Sequence, residues 1–186
     1  MITNIVEAVQ KNLGYPALQK VDPNSQEVKD ITSRSSMEKL AQSAIPAVLA
    51  GLVKFTRSDN GAGSILSDGT EQNWLEQIYE SKQSEAVDKV AHYSNTPVKE
   101  TSDHMQKIAL EAVKLIHESV GEKPTGEKIK TYMSGQRHNI LLYLPAAMQL
   151  GDLLNDDSLD DRTNKMEGPI SNMMHNIENK LSGGRS

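Results

Sequence analysis

The chain predicts an all-α protein, a multihelical bundle of about eight helices. Three observations carry this. Apolar residues recur at helical spacing in nearly every segment, and no segment alternates apolar and polar residues long enough to be a strand. Two long apolar runs, 44–53 (AIPAVLAGLV) and 140–148 (ILLYLPAAM), each carry a branched residue followed by Pro-Ala. Read as two central proline-bearing helices, they form the middle of the bundle.

The elements follow in order. Ile2, Ile5, Val6, Val9 and Leu13 share one helix face, and Gly14 supplies a stop. Tyr15-Pro16 opens a loop or a single turn. Asp22 is placed to cap a small helix that begins at Pro23 and holds Val28 and Ile31. Ser33-Arg34-Ser35-Ser36 interrupts, and Ser35 or Ser36 caps a long helix through Met37, Leu40, Ala41, Ala44, Ile45, Val48, Leu49, Leu52 and Val53. Residues 58–64 (SDNGAGS) read as a loop, and Thr70 as the cap of a helix with Trp74, Leu75, Ile78 and Tyr79. Ala86, Val87, Val90 and Ala91 form the next stripe, which ends at Asn95-Thr96-Pro97. Ser102 to Val120 is the clearest amphipathic helix, closed by Gly121 and Pro124. A short helix from Thr125 to Met133 is punctuated by Ser134-Gly135. The second proline-bearing helix then runs from about Gln136 to Leu154. After an acidic loop, a last helix carries Met166, Ile170, Met173, Met174, Ile177 and Leu181. Residues 1–182 make one domain and 183–186 a flexible tail.

A proline inside a helix removes a donor and collides with the carbonyl four residues back, at a cost of about 3 kcal/mol. The carbonyls freed here belong to Gln42 and Leu141. Pro46 and Pro145 are therefore expected in the core, at a bend or a helix start. Superposing the prolines pairs Ile45 with Leu144, Ala47 with Ala146 and Leu49 with Met148, but Val53 with Asp152. This describes a short, weak internal repeat.

Composition excludes several activities. With no cysteine, there are no disulfides, thiolate metal sites or cysteine nucleophiles. The start lacks the basic head of a secretory leader, and the longest apolar run is about half of the ~20 residues a membrane span needs. A cytoplasmic protein is expected. The formal charge is −5, and Asp152, Asp156, Asp157, Asp160 and Asp161 lie in one unbroken acidic stretch. A globally basic nucleic-acid binder is disfavoured. With one Trp, one Phe and five Tyr, stacking platforms for single strands are scarce.

Candidate chemistry is thin. His92, His104, His117, His138 and His175 form no zinc-type pair, and His117-Glu118 lacks the second histidine. No metal or cofactor is expected. The acidic loop places Asp156, Ser158, Asp160, Asn164 and Glu167 at calcium-loop positions, but Asp161 stands where glycine is required. Gly61-x-Gly63 lacks the third glycine, the strand and the lysine of a nucleotide loop. No serine has the strand-turn setting of a hydrolase nucleophile. The segment 121–138 is locally basic, with Lys123, Lys128, Lys130, Arg137 and His138. A short helix, Gly135 and a following helix there would imitate a helix-turn-helix on phosphate. A third reading, as an enzyme, places a pocket beside Pro145 with His138 as base and Tyr132 or Tyr143 nearby.

Leu40-Ala41, Ile45-Pro46-Ala47-Val48-Leu49-Ala50-Gly51-Leu52 and Ile65-Leu66 resemble the N-terminal motif of the YidB-like bacterial proteins of unknown function. Met133-Ser134-Gly135-Gln136-Arg137, Asn139-Ile140-Leu141 and Leu144-Pro145-Ala146 resemble that family's second motif. The resemblance covers residues 37–155; the greater charge and the acidic loop depart from it. It implies a bacterial source and a multihelical fold with a homeodomain-like three-helix portion, and it offers no catalytic residues to carry over. The expectation is a non-enzymatic protein-interaction or structural module that meets a protein partner or a second copy. The alternative is nucleic-acid binding through 121–138.

Overall fold

The architecture is all-α, as expected, in a computed structural model that describes residues 4–67, 72–156 and 159. Among these residues eight α-helices follow in order: α1 Ile5–Asn12, α2 Ser36–Phe55, α3 Asp59–Leu66, α4 Trp74–Tyr79, α5 Gln83–Ser94, α6 Val98–Val120, α7 Gly126–Leu141 and α8 Leu150–Leu154. Three 3-10 turns lie at Ile31–Ser33, Glu80–Lys82 and Ala146–Met148. No strand occurs among the described residues, and no helix there is long and apolar enough to cross a membrane.

Helix α2 is the axis of the bundle. Ser35 starts it with a reciprocal cap: its Oγ accepts from Glu38 N at 3.2 Å and its amide donates to Glu38 Oε2 at 2.9 Å. The amide bond, and then the Ser35 hydroxyl, which donates to Glu38 Oε2 at 2.8 Å, hold the Glu38 carboxyl below the usual carboxylate range. Every residue from Leu40 to Val53 is buried, because α5, α6 and α7 pack along it and α1, α4 and α8 close the remaining sides. Pro46 lies inside this helix, as predicted. Each large aliphatic side chain buried here contributes about 1.5–3 kcal/mol. Gly51 sets the approach of α4: a Cβ there would stand 2.6 Å from Ile78 Cγ2. In that close contact Tyr79 donates its hydroxyl to the Ala47 carbonyl at 2.8 Å.

The second proline-bearing run is not a helix. Helix α7 ends at Leu141, and Pro145 is extended and buried ahead of a 3-10 turn. The hydrogen bonds explain the break. In a continued helix the Leu142 and Tyr143 carbonyls would accept from Ala146 and Ala147. Instead Leu142 O accepts from Val21 N at 2.9 Å and Tyr143 O from Gln42 Nε2 at 2.7 Å. Ala146 N donates to Gln26 O at 3.0 Å, and Ala147 N to Glu27 Oε1 at 2.7 Å. All four groups find partners outside the helix, so leaving it orphans none of them. The two prolines thus sit in different backbones, and the internal repeat ends at the level of sequence.

Three more expectations change. The 58–64 segment is not a loop: Ser58 caps α3 by accepting from Gly61 N at 2.9 Å. Gly61 is required, since a Cβ there would lie 1.9 Å from the Phe55 carbonyl oxygen. No helix starts at Pro23; Asp22 Oδ1 accepts from Asn24 N at 2.8 Å and folds the chain into a tight loop. The break at Ser134-Gly135 is absent, because Ile129, Met133, Gln136 and Ile140 keep one buried stripe through the glycine, on a single helix α7. Ile2, Thr70, the acidic stretch beyond Asp156 apart from Leu159, the final helix, His175 and the tail fall outside the described residues.

Two buried glutamines stitch the ends together. Gln42 also donates to Gln19 O at 3.0 Å and accepts from Gln19 N at 2.8 Å. Gln136 Oε1 accepts from Ile5 N at 3.1 Å and so satisfies an amide in the first turn of α1. Gly14, at φ +69°, turns the chain out of α1.

Candidate functional site

The irregular stretches on either side of the Gln42 clamp wall a surface cleft. It measures about 720 Å³ and lies between the 3-10 turn at 31–33, the start of α2, the outer face of α5 and the 146–149 turn. Its half-buried floor is Ile31, Lys39, Lys89 and Tyr93. Its exposed rim is Thr32, Glu85, Asp88, His92, Ala147 and Gln149. On α5 the spacing 85, 88, 89, 92 places four ionisable side chains along about two turns of one face.

The walls are held in costly backbone. Gln26, Asp30 and Gln149 have φ of +56°, +54° and +46°, a region that residues other than glycine seldom adopt. Glu27 pins the wall through Ala147 N. Beneath the floor the Tyr93 hydroxyl has no hydrogen-bond partner among the described residues. Burial, then the neighbouring Glu27 carboxylate, push this phenol up to about 12. The side-chain charges of Lys39, Asp88, Lys89 and His92 form no ion pair or hydrogen bond among the described residues.

The second cleft, about 590 Å³, runs beside α3 and is lined by Phe55, Ile78, Tyr79, Leu153 and Leu154 among others. Glu80 and Asn155 border it, at φ +50° and +49°. Among the described residues, three of the six residues other than glycine with positive φ (Glu80, Gln149 and Asn155) line one of these clefts, and Asp30 directly precedes the 31–33 wall.

The basic residues predicted from 121–138 are divided around α7. Lys128 and Arg137 point about 180° apart around α7 at 3.6 residues per turn. Lys128 Nζ turns back to Lys123 O at 2.7 Å. Lys130 lies between Asp59 and Glu127 Oε1, the latter at 3.3 Å. The hydrogen bond between Lys130 and Asp59 raises the lysine above its ordinary value and lowers the aspartate. Arg137 and His138 each have a partner as well. The helix-turn-helix expectation fails with the continuity of α7. His138 lines neither cleft, and Tyr143 donates to Glu7 Oε1 at 3.2 Å. The tyrosines and His138 are therefore not gathered in either.

Among the described residues no group of three or more His, Asp or Glu is placed to hold a metal ion. Asp156, first in the calcium-loop template, accepts from Arg57 at 2.7 Å. His104 does acquire neighbours: Tyr15 Oη lies 2.6 Å from its Nδ1 and Glu100 lies 3.9 Å from its Nε2. Burial pushes Tyr15 up to about 12, so this phenol is held protonated rather than activated as a nucleophile. Sequence reasoning missed Lys39, Asp88 and Lys89 as site residues and treated His92 only as a metal candidate. The one available signal was the 85, 88, 89, 92 spacing opposite the buried stripe of α5. Comparison with protein-family models, with curated proteins and with solved structures finds no match to this chain.

Proposed function

We propose that this protein is a non-enzymatic helical module that docks a protein partner in the 720 Å³ cleft. The supporting observation is the make-up of that cleft: a floor of Ile31, Tyr93 and the unpaired Lys39 and Lys89, a rim that carries the unpaired Asp88, and a wall residue, Gln149, held at positive φ. Strain of this kind costs on the order of 1–3 kcal/mol per residue and gathers where a binding surface must be held in shape. The YidB-like resemblance belongs to the same reading. Its two motif segments pack on each other as α2 and α7, and Gln42 and Tyr143 join them. A bacterial, cytoplasmic setting is part of the proposal.

Site-specific photo-crosslinking in cells tests it. Crosslinker at position 85 or 149, on the cleft rim, is expected to give a discrete protein adduct. Crosslinker at position 114, on the exposed face of α6, is expected to give none. Adducts from 114 alone move the docking face elsewhere, and an absence of adducts from all three positions overturns the reading. The nucleic-acid alternative draws less support, since Lys128 and Arg137 point apart and Lys130 is paired with carboxylates.

A further inference from the structure

We infer that the cleft recognises a short extended peptide segment carrying an acidic residue with a basic residue close by, the acid seated between Lys39 and Lys89. This rests on the docking reading above and names the occupant's chemistry. Two lysines on half-buried stems line one cleft from different helices, α2 and α5, and neither forms an ion pair among the described residues. A half-buried cation without a partner gains most from a desolvated carboxylate. The rim selects further. Glu85 is already paired with Lys82 at 3.2 Å, but Asp88 is not, and its carboxylate on the rim repels a simple anion, whether phosphate, free dicarboxylate or nucleic-acid backbone. A segment that also brings a cation to the rim satisfies both layers. Size agrees: Glu85 to His92 spans about 10 Å of helix, the length of roughly three extended residues. Ile31, Tyr93 and Ala147 offer apolar contact to what lies between the two charges.

The experiment is selection of a random heptapeptide display library on the full chain, followed by fluorescence anisotropy of the enriched peptides. Peptides with an acid and a base within three residues are expected to be enriched. Their binding should weaken roughly tenfold with either Lys39→Gln or Lys89→Gln, the scale of one lost charge-assisted hydrogen bond. Glu85→Lys combined with Asp88→Lys should shift the preference toward purely acidic peptides. Both lysines end in the cleft rather than the core, and unchanged circular dichroism and melting of the variants verify that they fold. Enrichment of single-sign peptides, affinity indifferent to both lysine variants, or no enrichment overturns the inference. A crosslinked partner at positions 85 or 149 that lacks such a segment leaves the docking reading standing and removes only this one.

Discussion

Pro46 and Pro145 occupy nearly the same local sequence, Ile-Pro-Ala and Leu-Pro-Ala, yet one lies inside a helix and the other ends the possibility of one. Around Pro46 the chain is buried continuously from Leu40 to Val53, so the helix is enforced from outside by α5, α6 and α7. Around Pro145 four backbone groups find better-placed partners in Val21, Gln26, Glu27 and Gln42. Local sequence sets the same cost at both sites, and long-range hydrogen bonding decides where it is tolerated and where it is avoided.

The largest test of this contrast is Gln42→Leu. It removes the side chain that joins the two regions and leaves Gln19 N, Gln19 O and Tyr143 O without their partner. A loss of about 3 kcal/mol is expected from denaturant melts, several orphaned buried groups each costing on the order of 1–3 kcal/mol. A loss under about 0.5 kcal/mol would mean that the clamp does not hold the 142–149 turn.

The prolines themselves should answer with opposite signs. Pro46→Ala restores a helix donor worth about 3 kcal/mol and gives up roughly 2 kcal/mol of buried ring packing, for a net gain of about 1 kcal/mol. Pro145→Ala gains no helical bond, because the neighbouring groups are already partnered, and it frees the unfolded chain, for a loss of about 0.4–1 kcal/mol. Equal signs in paired thermal melts would erase the distinction drawn here.

The smallest effects concern the two tyrosines that mark the regions. Burial raises Tyr79, on the α2 side, and Tyr143, on the turn, above the ordinary phenol value. A raised folded-state value means that the stability each provides is complete below the unfolded pKa near 10. It is lost as pH rises from there through the folded value. Tyr79→Phe should cost about 1 kcal/mol at neutral pH and flatten the alkaline decline, while Tyr143→Phe should cost less than about 0.5 kcal/mol. Melting curves from pH 8 to 12 distinguish them; an identical alkaline slope in both variants and the parent would refute the assignment.

What could be read from the amino acids alone divides along the same line. The caps at Ser35 and Thr125, the stripe of α6 and the burial of Trp74, Leu75, Ile78 and Tyr79 are consequences of neighbours within a few positions. Segment 58–64 reads as a loop because its two glycines and two serines suggest one, while the helix depends on one close approach to Phe55. Ser134-Gly135 suggested a stop because both are exposed and polar or small, although the buried stripe ran past them. The cleft was the least legible feature. Lys39 and Lys89 lie fifty positions apart, and only the packing of α2 against α5 puts them in one place.

The carboxamide of Gln42 closes a loop of 101 positions to reach Tyr143. A polar group in the middle of an oily rod works there as a register pin. An aliphatic side chain would supply no directional bond, whereas with Gln42 a slide of α7 by a turn breaks its bond to Tyr143 along with that between Gln136 and Ile5. The rod then has one admissible seat, and the shape of the neighbouring surface is inherited from it.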